Sequence, residues 1–307
     1  MEVWGGSQLT DHSVAFGGLD TWVYSKPYGD AEHGGDVYYA SSCATGRISR
    51  LLLADVAGHG DAVAKTALDL RTLMRRFVNR LDQSEFVRLL NAQFAEESRA
   101  GVFATAVVTT FFAPSRRLTL CNAGHPRPLL FRQAEGRWRL LTSKAESTAV
   151  GPSNLPLGLL SITAYEHFDV ELQSGDCLLL YTDALMESND ADGEMLGERG
   201  LLKIIRALPQ LEPPQLTQAF LAEVGRLYPE NLTDDDVTVM LLRANGGEAH
   251  YSLREKVSAA GRFAGSLLQS FQSNAERAPF PDATLPNLGG AVIPALGRRW
   301  RAKSDGL

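Results

Sequence analysis

Four fragments place carboxylates at the ends of otherwise apolar, strand-like runs: His33-Gly-Gly-Asp36, Ala54-Asp-Val-Ala-Gly-His-Gly60, Thr182-Asp183 and Asp235-Asp236-Val-Thr238. A charge that close to a core must be paired, protonated or bound to a cation, because an isolated buried charge costs more than a fold can spare. No run of lysine or arginine accompanies them. The fragments are rich in oxygen, contain no cysteine, and offer only His33 and His59 as nitrogen donors. Such a donor set favours hard cations, Mg²⁺ or Mn²⁺, over zinc or copper. The pattern reads as that of a metal-dependent hydrolase.

Composition excludes several alternatives. The chain of 307 residues is 44% hydrophobic and 21% charged, with net charge −6, which is the profile of an ordinary globular protein with one large or two small domains. The acidic balance argues against a nucleic-acid-binding surface. Cys43, Cys121 and Cys177 are too few and too scattered for a disulfide framework or a zinc ribbon. The amino terminus lacks the basic segment and apolar core of a signal peptide, and no apolar run is long enough to span a bilayer. A cytoplasmic protein without membrane insertion is expected.

Hydrophobic periodicity orders the chain. Asp36-Val-Tyr-Tyr-Ala-Ser-Ser42 and Ile48-Ser-Arg-Leu-Leu-Leu-Ala-Asp55 flank a turn-like Ala44-Thr-Gly46 and predict a hairpin. From Asp61 the period changes: Val63, Ala67, Leu70, Met74, Phe77 and Leu81 recur at spacings of three and four, the buried stripe of a helix. A second helix is expected near Asp82 or Ser84, with Glu85 placed for a capping box on Asp82 and Phe86, Leu90 and Phe94 turned inward. Strand-like runs at 103–112, 118–122, 128–131 and 138–141 follow, and their short turns suggest an antiparallel meander. Runs at 168–172 and 177–182, joined by Ser174-Gly-Asp176, look like a further strand pair. Helices at about 198–208 and 213–228 and a last strand at 237–242 complete the set. Two groups of strands with helices between them imply an α+β sandwich of antiparallel sheets covered by helices.

Five fragments in order carry a resemblance. Asp55-Val-Ala-Gly-His-Gly60, Asn122-Ala-Gly-His-Pro126, Leu155-Pro-Leu-Gly158, Leu178-Leu-Leu-Tyr-Thr-Asp183 and Asp235-Asp-Val-Thr238 resemble the SpoIIE-like branch of the PPM family. These are metal-dependent serine/threonine phosphatases related to protein phosphatase 2C. The resemblance covers roughly residues 34–243 and implies an αββα sandwich with a binuclear Mn²⁺ or Mg²⁺ centre at one edge of the sheets. It further implies Asp36 as a ligand, Asp55 as the carboxylate bridging both ions, the main-chain carbonyl of Val56 as a further ligand, and Asp183 and Asp235 completing the set. Asp236 then falls outside the direct ligands. The expected substrate is a phosphoserine or phosphothreonine protein, for example an anti-sigma-factor antagonist.

The chemistry asks for such a set independently. Two divalent cations about 4 Å apart hold a water between them, lower its pKa and stabilise charge on phosphoryl oxygens, so metal-bound hydroxide is the expected nucleophile. Two roles stand open for His59, protonation of the leaving oxygen or buttressing of the turn, and its longer spacing from Asp55 than in the protein phosphatase 2C branch favours the second. His125 is expected as a turn residue whose ring is hydrogen-bonded to backbone. Lys26 and Arg47 are either phosphate contacts or ordinary solvated charges. Ala184 stands where the family usually has glycine, which would tighten the turn or restrict substrate approach.

Residues 1–244 are expected to form the phosphatase unit, the first 32 leaving no room for a sensory domain, and residues 245–307 an extension. In that extension Leu253, Val257, Ala260, Phe263, Leu267 and Phe271 have helical spacing, interrupted by Gly261 and Gly265, and predict an amphipathic helix, either docked on the core, which is preferred, or serving as a recruitment segment. Two other functions compete with an active phosphoprotein phosphatase: a catalytically inactive binding module of the same fold, and a binuclear hydrolase of small phosphate esters. Retention of Asp36, Asp55, Asp183 and Asp235 argues against the binding module, because without metal those groups only repel one another.

Overall fold

The computed structural model describes residues 2–43, 46–58, 61–78, 80, 82–98, 101–143 and 152–247. The expected tail helix, Leu81 and His59 lie outside the described residues. Twelve strands and five α-helices are described. Strands β1 (Glu2–Gly6), β4 (Asp36–Ser42), β5 (Ile48–Val56), β6 (Ala104–Phe112), β7 (Arg117–Ala123) and β10 (His167–Glu171) form one antiparallel sheet in the order β1-β4-β5-β6-β7-β10. Strands β2 (Thr10–Phe16), β3 (Leu19–Lys26), β8 (Leu129–Arg132), β9 (Arg137–Leu140), β11 (Cys177–Tyr181) and β12 (Val237–Ala244) form the other, in the order β2-β3-β12-β11-β8-β9. Helices α1 (Asp61–Phe77) and α2 (Gln83–Glu97) cover the first sheet, while α4 (Gly197–Ala207) and α5 (Pro213–Leu227) cover the second. A short α3 (Asp183–Glu187) follows β11. The architecture is the expected αββα sandwich.

Central strands carry near-continuous apolar runs because both of their faces are buried. Along β4, Tyr38 and Ala40 enter the core between the sheets while Val37 and Tyr39 face α1 and α2. In β5, Leu51 and Leu53 point one way and Leu52 and Ala54 the other. On the second sheet, Leu178, Leu180, Met240 and Leu242 fill the intersheet core, whereas Leu179, Tyr181, Val239 and Leu241 meet α4 and α5. Helix α2 begins where its cap predicts: the Asp82 carboxylate accepts from the Glu85 N–H at 2.6 Å. Its Phe86, Leu90 and Phe94 are fully buried, a face that stabilises by about 1.5–3 kcal/mol per side chain.

Two expectations are corrected. The runs 103–141 do not form one meander, since β6 and β7 belong to the first sheet and β8 and β9 to the second. Residues β10 and β11 are likewise not a pair: β10 lies on β7, β11 between β8 and β12. At both places a tight turn passes the chain from one sheet to the other. The second turn is held by the buried Asp176, whose carboxylate accepts from Arg132 Nη1 at 2.6 Å and from the N–H groups of Gln133 and Gln173 at 2.9 and 2.8 Å. Residues 2–26, for which no element is predicted from the sequence, supply three strands.

Candidate metal centre

Strand parity brings the acids together. Asp36 shares a face with Tyr38 and Ala40, and Asp55 with Leu51 and Leu53, so both carboxylates point into the gap between the sheets. They are direct register partners across β4 and β5, a like-charge pairing that is unfavourable without a compensating cation. The second sheet contributes from the opposite wall. Asp183 follows the end of β11, and Asp235 and Asp236 immediately precede β12. Thr182 ties the walls together by donating its hydroxyl to Asp36 Oδ2 at 2.9 Å while its Oγ1 accepts from the Thr238 N–H at 3.0 Å.

The electrostatics show how little this set is satisfied by protein alone. Burial, more than any neighbour, raises the Asp36 carboxyl well above the ordinary range; Asp236 and Asp183 add to the effect, and hydrogen bonds from Thr238 and Thr182 oppose it. Asp55 is pushed up to about 10 by burial, then by Asp36, Asp183 and Asp235. Asp183 is raised by burial, although its hydrogen bond with Asp55 and the N–H groups at the start of α3 oppose the shift. Burial and mutual repulsion thus favour the neutral form of Asp55 when no cation is present. No lysine or arginine is among the groups acting on these three acids.

Among the described residues no three His, Cys, Asp or Glu side chains are gathered closely enough to hold one ion. The chemistry of the donors nonetheless fits divalent metal: they are oxygen-only, desolvated, mutually repulsive and without a cationic partner in that balance. The backbone fits as well. A Cβ on Gly35 would lie 2.9 Å from the Val56 carbonyl oxygen and 3.0 Å from that of Gly58, so only glycine lets those carbonyls crowd the Asp36 turn.

Asp236 differs from its neighbour. Its two carboxylate oxygens accept from the N–H groups of Tyr28 and Gly35, each at 2.6 Å, bracing the turn that presents Asp36. Asp235 instead accepts the Asp236 N–H at 2.7 Å and is only partly buried. His33 is turned to Ser7, with Nδ1 3.3 Å from the hydroxyl, rather than into the acidic group. Arg47 lies at the hairpin end of β4 and β5, beyond the Ser42–Ser49 pair and remote from the Asp36–Asp55 pair, whereas the exposed Lys26 lies opposite Val237 at the acidic end. Ala184 is helical and buried among the apolar residues under α4, so its methyl group packs rather than tightens a turn.

His125 is a turn residue, as expected, and its ring engages the Tyr181 backbone and also a side chain. Nδ1 lies 2.8 Å from the Thr105 hydroxyl, while Asn122 closes the turn through the His125 N–H and carbonyl, both at 2.8 Å. Burial pushes the imidazole down to about 3, against the opposing influence of the Tyr181 backbone. Nε2 is buried without a hydrogen-bond partner.

A helix-flanked pair of antiparallel sheets with acids at one edge of the intersheet gap defines the PPM, or protein phosphatase 2C-like, fold. The family model for stage II sporulation protein E (SpoIIE) matches residues 46–245, and the chain belongs to that family. It is similar to the phosphoserine phosphatase RsbU of Bacillus subtilis, with 22% identity over 194 residues that cover 63% of this chain and 55% of RsbU. The chain thus spans about half the length of that relative. Among solved structures, the phosphatase domain and regulatory-domain fragment of SpoIIE from Bacillus subtilis superposes with TM-score 0.61 at 16% identity, covering 76% of this chain and 64% of that one. RsbX, solved in complex with magnesium, gives TM-score 0.53 at 15% identity over 76% of this chain and 99% of its own. Among the described residues no helix is long and apolar enough to cross a membrane.

Proposed function

We propose that the chain is a metal-dependent phosphoprotein phosphatase acting on phosphoserine or phosphothreonine, and that Asp36, Asp55, Asp183, Asp235 and the Val56 carbonyl hold two divalent cations, Mn²⁺ or Mg²⁺. The observation that carries the reading is the register pair Asp36–Asp55 facing Asp183 across the intersheet gap, raised in pKa and without a cationic side chain in its balance. Family membership supports the activity, and the named activity of RsbU and the magnesium bound by RsbX support its substrate and cofactor classes.

Cations bound by these residues supply Lewis acidity toward the phosphoryl group and an activated water. The protein's own part is positional. Asp55 and Asp183 would bind the cations as carboxylates, Thr182 orients Asp36, and Asp236 fixes the Gly34-Gly35 turn. His59 is the candidate for protonating the leaving oxygen or for buttressing the turn after Asp55. The natural partner is a phosphoprotein such as an anti-sigma-factor antagonist, with residues 1–244 as the phosphatase unit and 245–307 as an extension. Phosphate release from phosphoserine peptides tests the proposal: turnover with Mn²⁺ or Mg²⁺ that disappears in EDTA is expected, and full turnover in excess EDTA would remove it.

A further inference from the structure

Beside the acidic group, a cleft of about 400 Å³ opens between the Gly124-His125-Pro126 turn, α3 and the start of α4. Asp183 lines it, so the cleft adjoins the proposed reaction centre. Its other acids are Glu187 and Glu198. Glu198 is already neutralised, since Oε1 accepts the Arg127 N–H at 2.8 Å and Oε2 accepts Arg127 Nε at 2.7 Å together with Nη2. Glu187 is exposed and one helical turn from Asp183, and no hydrogen bond or ion pair engages its carboxylate among the described residues. Met186 and Pro126 add apolar surface to the same walls. The lining also includes His125, only 6% exposed, whose Nε2 is left without a partner.

We infer that this cleft is a subsite for a lysine or arginine flanking the phosphorylated residue of the substrate, with Glu187 as the carboxylate that selects it. A long basic side chain matches both surfaces: its aliphatic stem lies on Met186 and Pro126 while its charged end meets Glu187. At the rim Arg127 is spent on Glu198, which leaves the Glu187 carboxylate without a cationic partner among the described residues. A further metal ion is a poorer occupant, because Asp183 is engaged with Asp55 and Glu198 with Arg127, which leaves Glu187 as the one unengaged acid of the lining. The subsite rests on the phosphatase reading and extends it to the sequence around the phosphoserine.

The full chain, assayed in Mn²⁺, is given phosphoserine peptides in which Lys, Ala or Glu is walked through three positions on each side, with p-nitrophenyl phosphate as the small substrate for the unaltered protein. At one position Lys should exceed Ala by about fivefold in kcat/KM, carried by KM, the size of a partly exposed ion pair. Glu187→Gln should bring that ratio to about one, Glu187→Asp should keep part of it, and Glu187→Lys should reverse the order of the Lys and Glu peptides. A ratio unchanged in Glu187→Gln, or a wild-type enzyme indifferent to Lys at every position, overturns the subsite. Hydrolysis of p-nitrophenyl phosphate without any peptide preference sinks the subsite alone. Failure on both substrates sinks the phosphatase reading and the subsite with it.

Discussion

Replacing Asp236 by alanine separates bracing from metal binding. The substitution removes the acceptors of two N–H groups held at 2.6 Å, those of Gly35 and Tyr28. Gly35 is buried, so its donor is left without a partner at a cost of about 2–3 kcal/mol, whereas the exposed Tyr28 segment can turn to water for about 1 kcal/mol or less. Loss of the repulsion between Asp236 and Asp36 returns part of this in metal-free protein. Urea unfolding in EDTA should therefore show a net loss of roughly 2–3 kcal/mol, or about 4–12 °C in Tm for a unit of this size. Asp235→Ala loses one hydrogen bond from a partly exposed carboxylate and should cost about 1 kcal/mol or less. Titration with Mn²⁺ should reverse the ranking. Affinity should fall by about 10–100-fold in Asp236→Ala, as when a group supporting the ligands is lost, and further in Asp235→Ala. Unchanged unfolding of Asp236→Ala in EDTA would refute the brace, and weaker Mn²⁺ binding by Asp236→Ala than by Asp235→Ala would show that the acids are misassigned by one residue.

Asp183→Asn should fold normally, because volume is conserved and a buried repulsion is relieved, yet lose most phosphatase turnover; wild-type rates at saturating Mn²⁺ would exclude Asp183 as a ligand. His125 titrates near 6.5 when unfolded and near 3 when folded, so below pH 6.5 the unfolded chain binds more protons and stability falls as pH drops through that window. The buried acids Asp36 and Asp55 act with opposite sign over the same range, so the check is the difference between wild type and His125→Asn in urea melts from pH 4 to 7: as pH falls the wild type should lose up to about 1.4 kcal/mol per pH unit more than the variant. Arg50 is buried and donates to the Val78 and Arg80 carbonyls at 2.7 and 2.5 Å and to Thr110 Oγ1 at 3.0 Å, beneath the Phe86 ring. Arg50→Ala should cost about 3–5 kcal/mol in chemical denaturation, with Arg50→Lys recovering little because an ammonium cannot span three acceptors; a loss under about 1 kcal/mol would contradict that role.

What was legible in the sequence was what depends on local periodicity. The β4–β5 hairpin, both helices after it and the Asp82 cap follow from spacing alone, because each residue's neighbours along the chain are also its neighbours in space. Sheet membership does not. The turns at Gly124–Pro126 and Ser174–Asp176 have the composition of hairpin turns, and nothing in a turn's residues states whether the next strand pairs with the last or crosses to another layer. Residues 2–26 were passed over although β3 alternates buried and partly buried positions from Leu19 to Ser25, a signal that counting would have found. The candidate acids stand out in the sequence because carboxylates at the ends of apolar runs are costly and therefore informative, while their roles as ligands come from the resemblance. The Tyr28 and Gly35 contacts of Asp236 and the Glu187 cleft were not found, since both join segments far apart in sequence.

The acids Asp36 and Asp55 belong to one sheet and Asp183 and Asp235 to the other, with Leu53, Leu180 and Met240 among the residues of the layer between them. The intersheet core thus acts as a spacer whose thickness sets the distance between the two walls of the proposed metal centre. Packed interiors do not compress continuously, so the two walls slide or tilt as units. Conservative changes in that shared core, made without touching an acid, should therefore register in metal affinity before they register in folding.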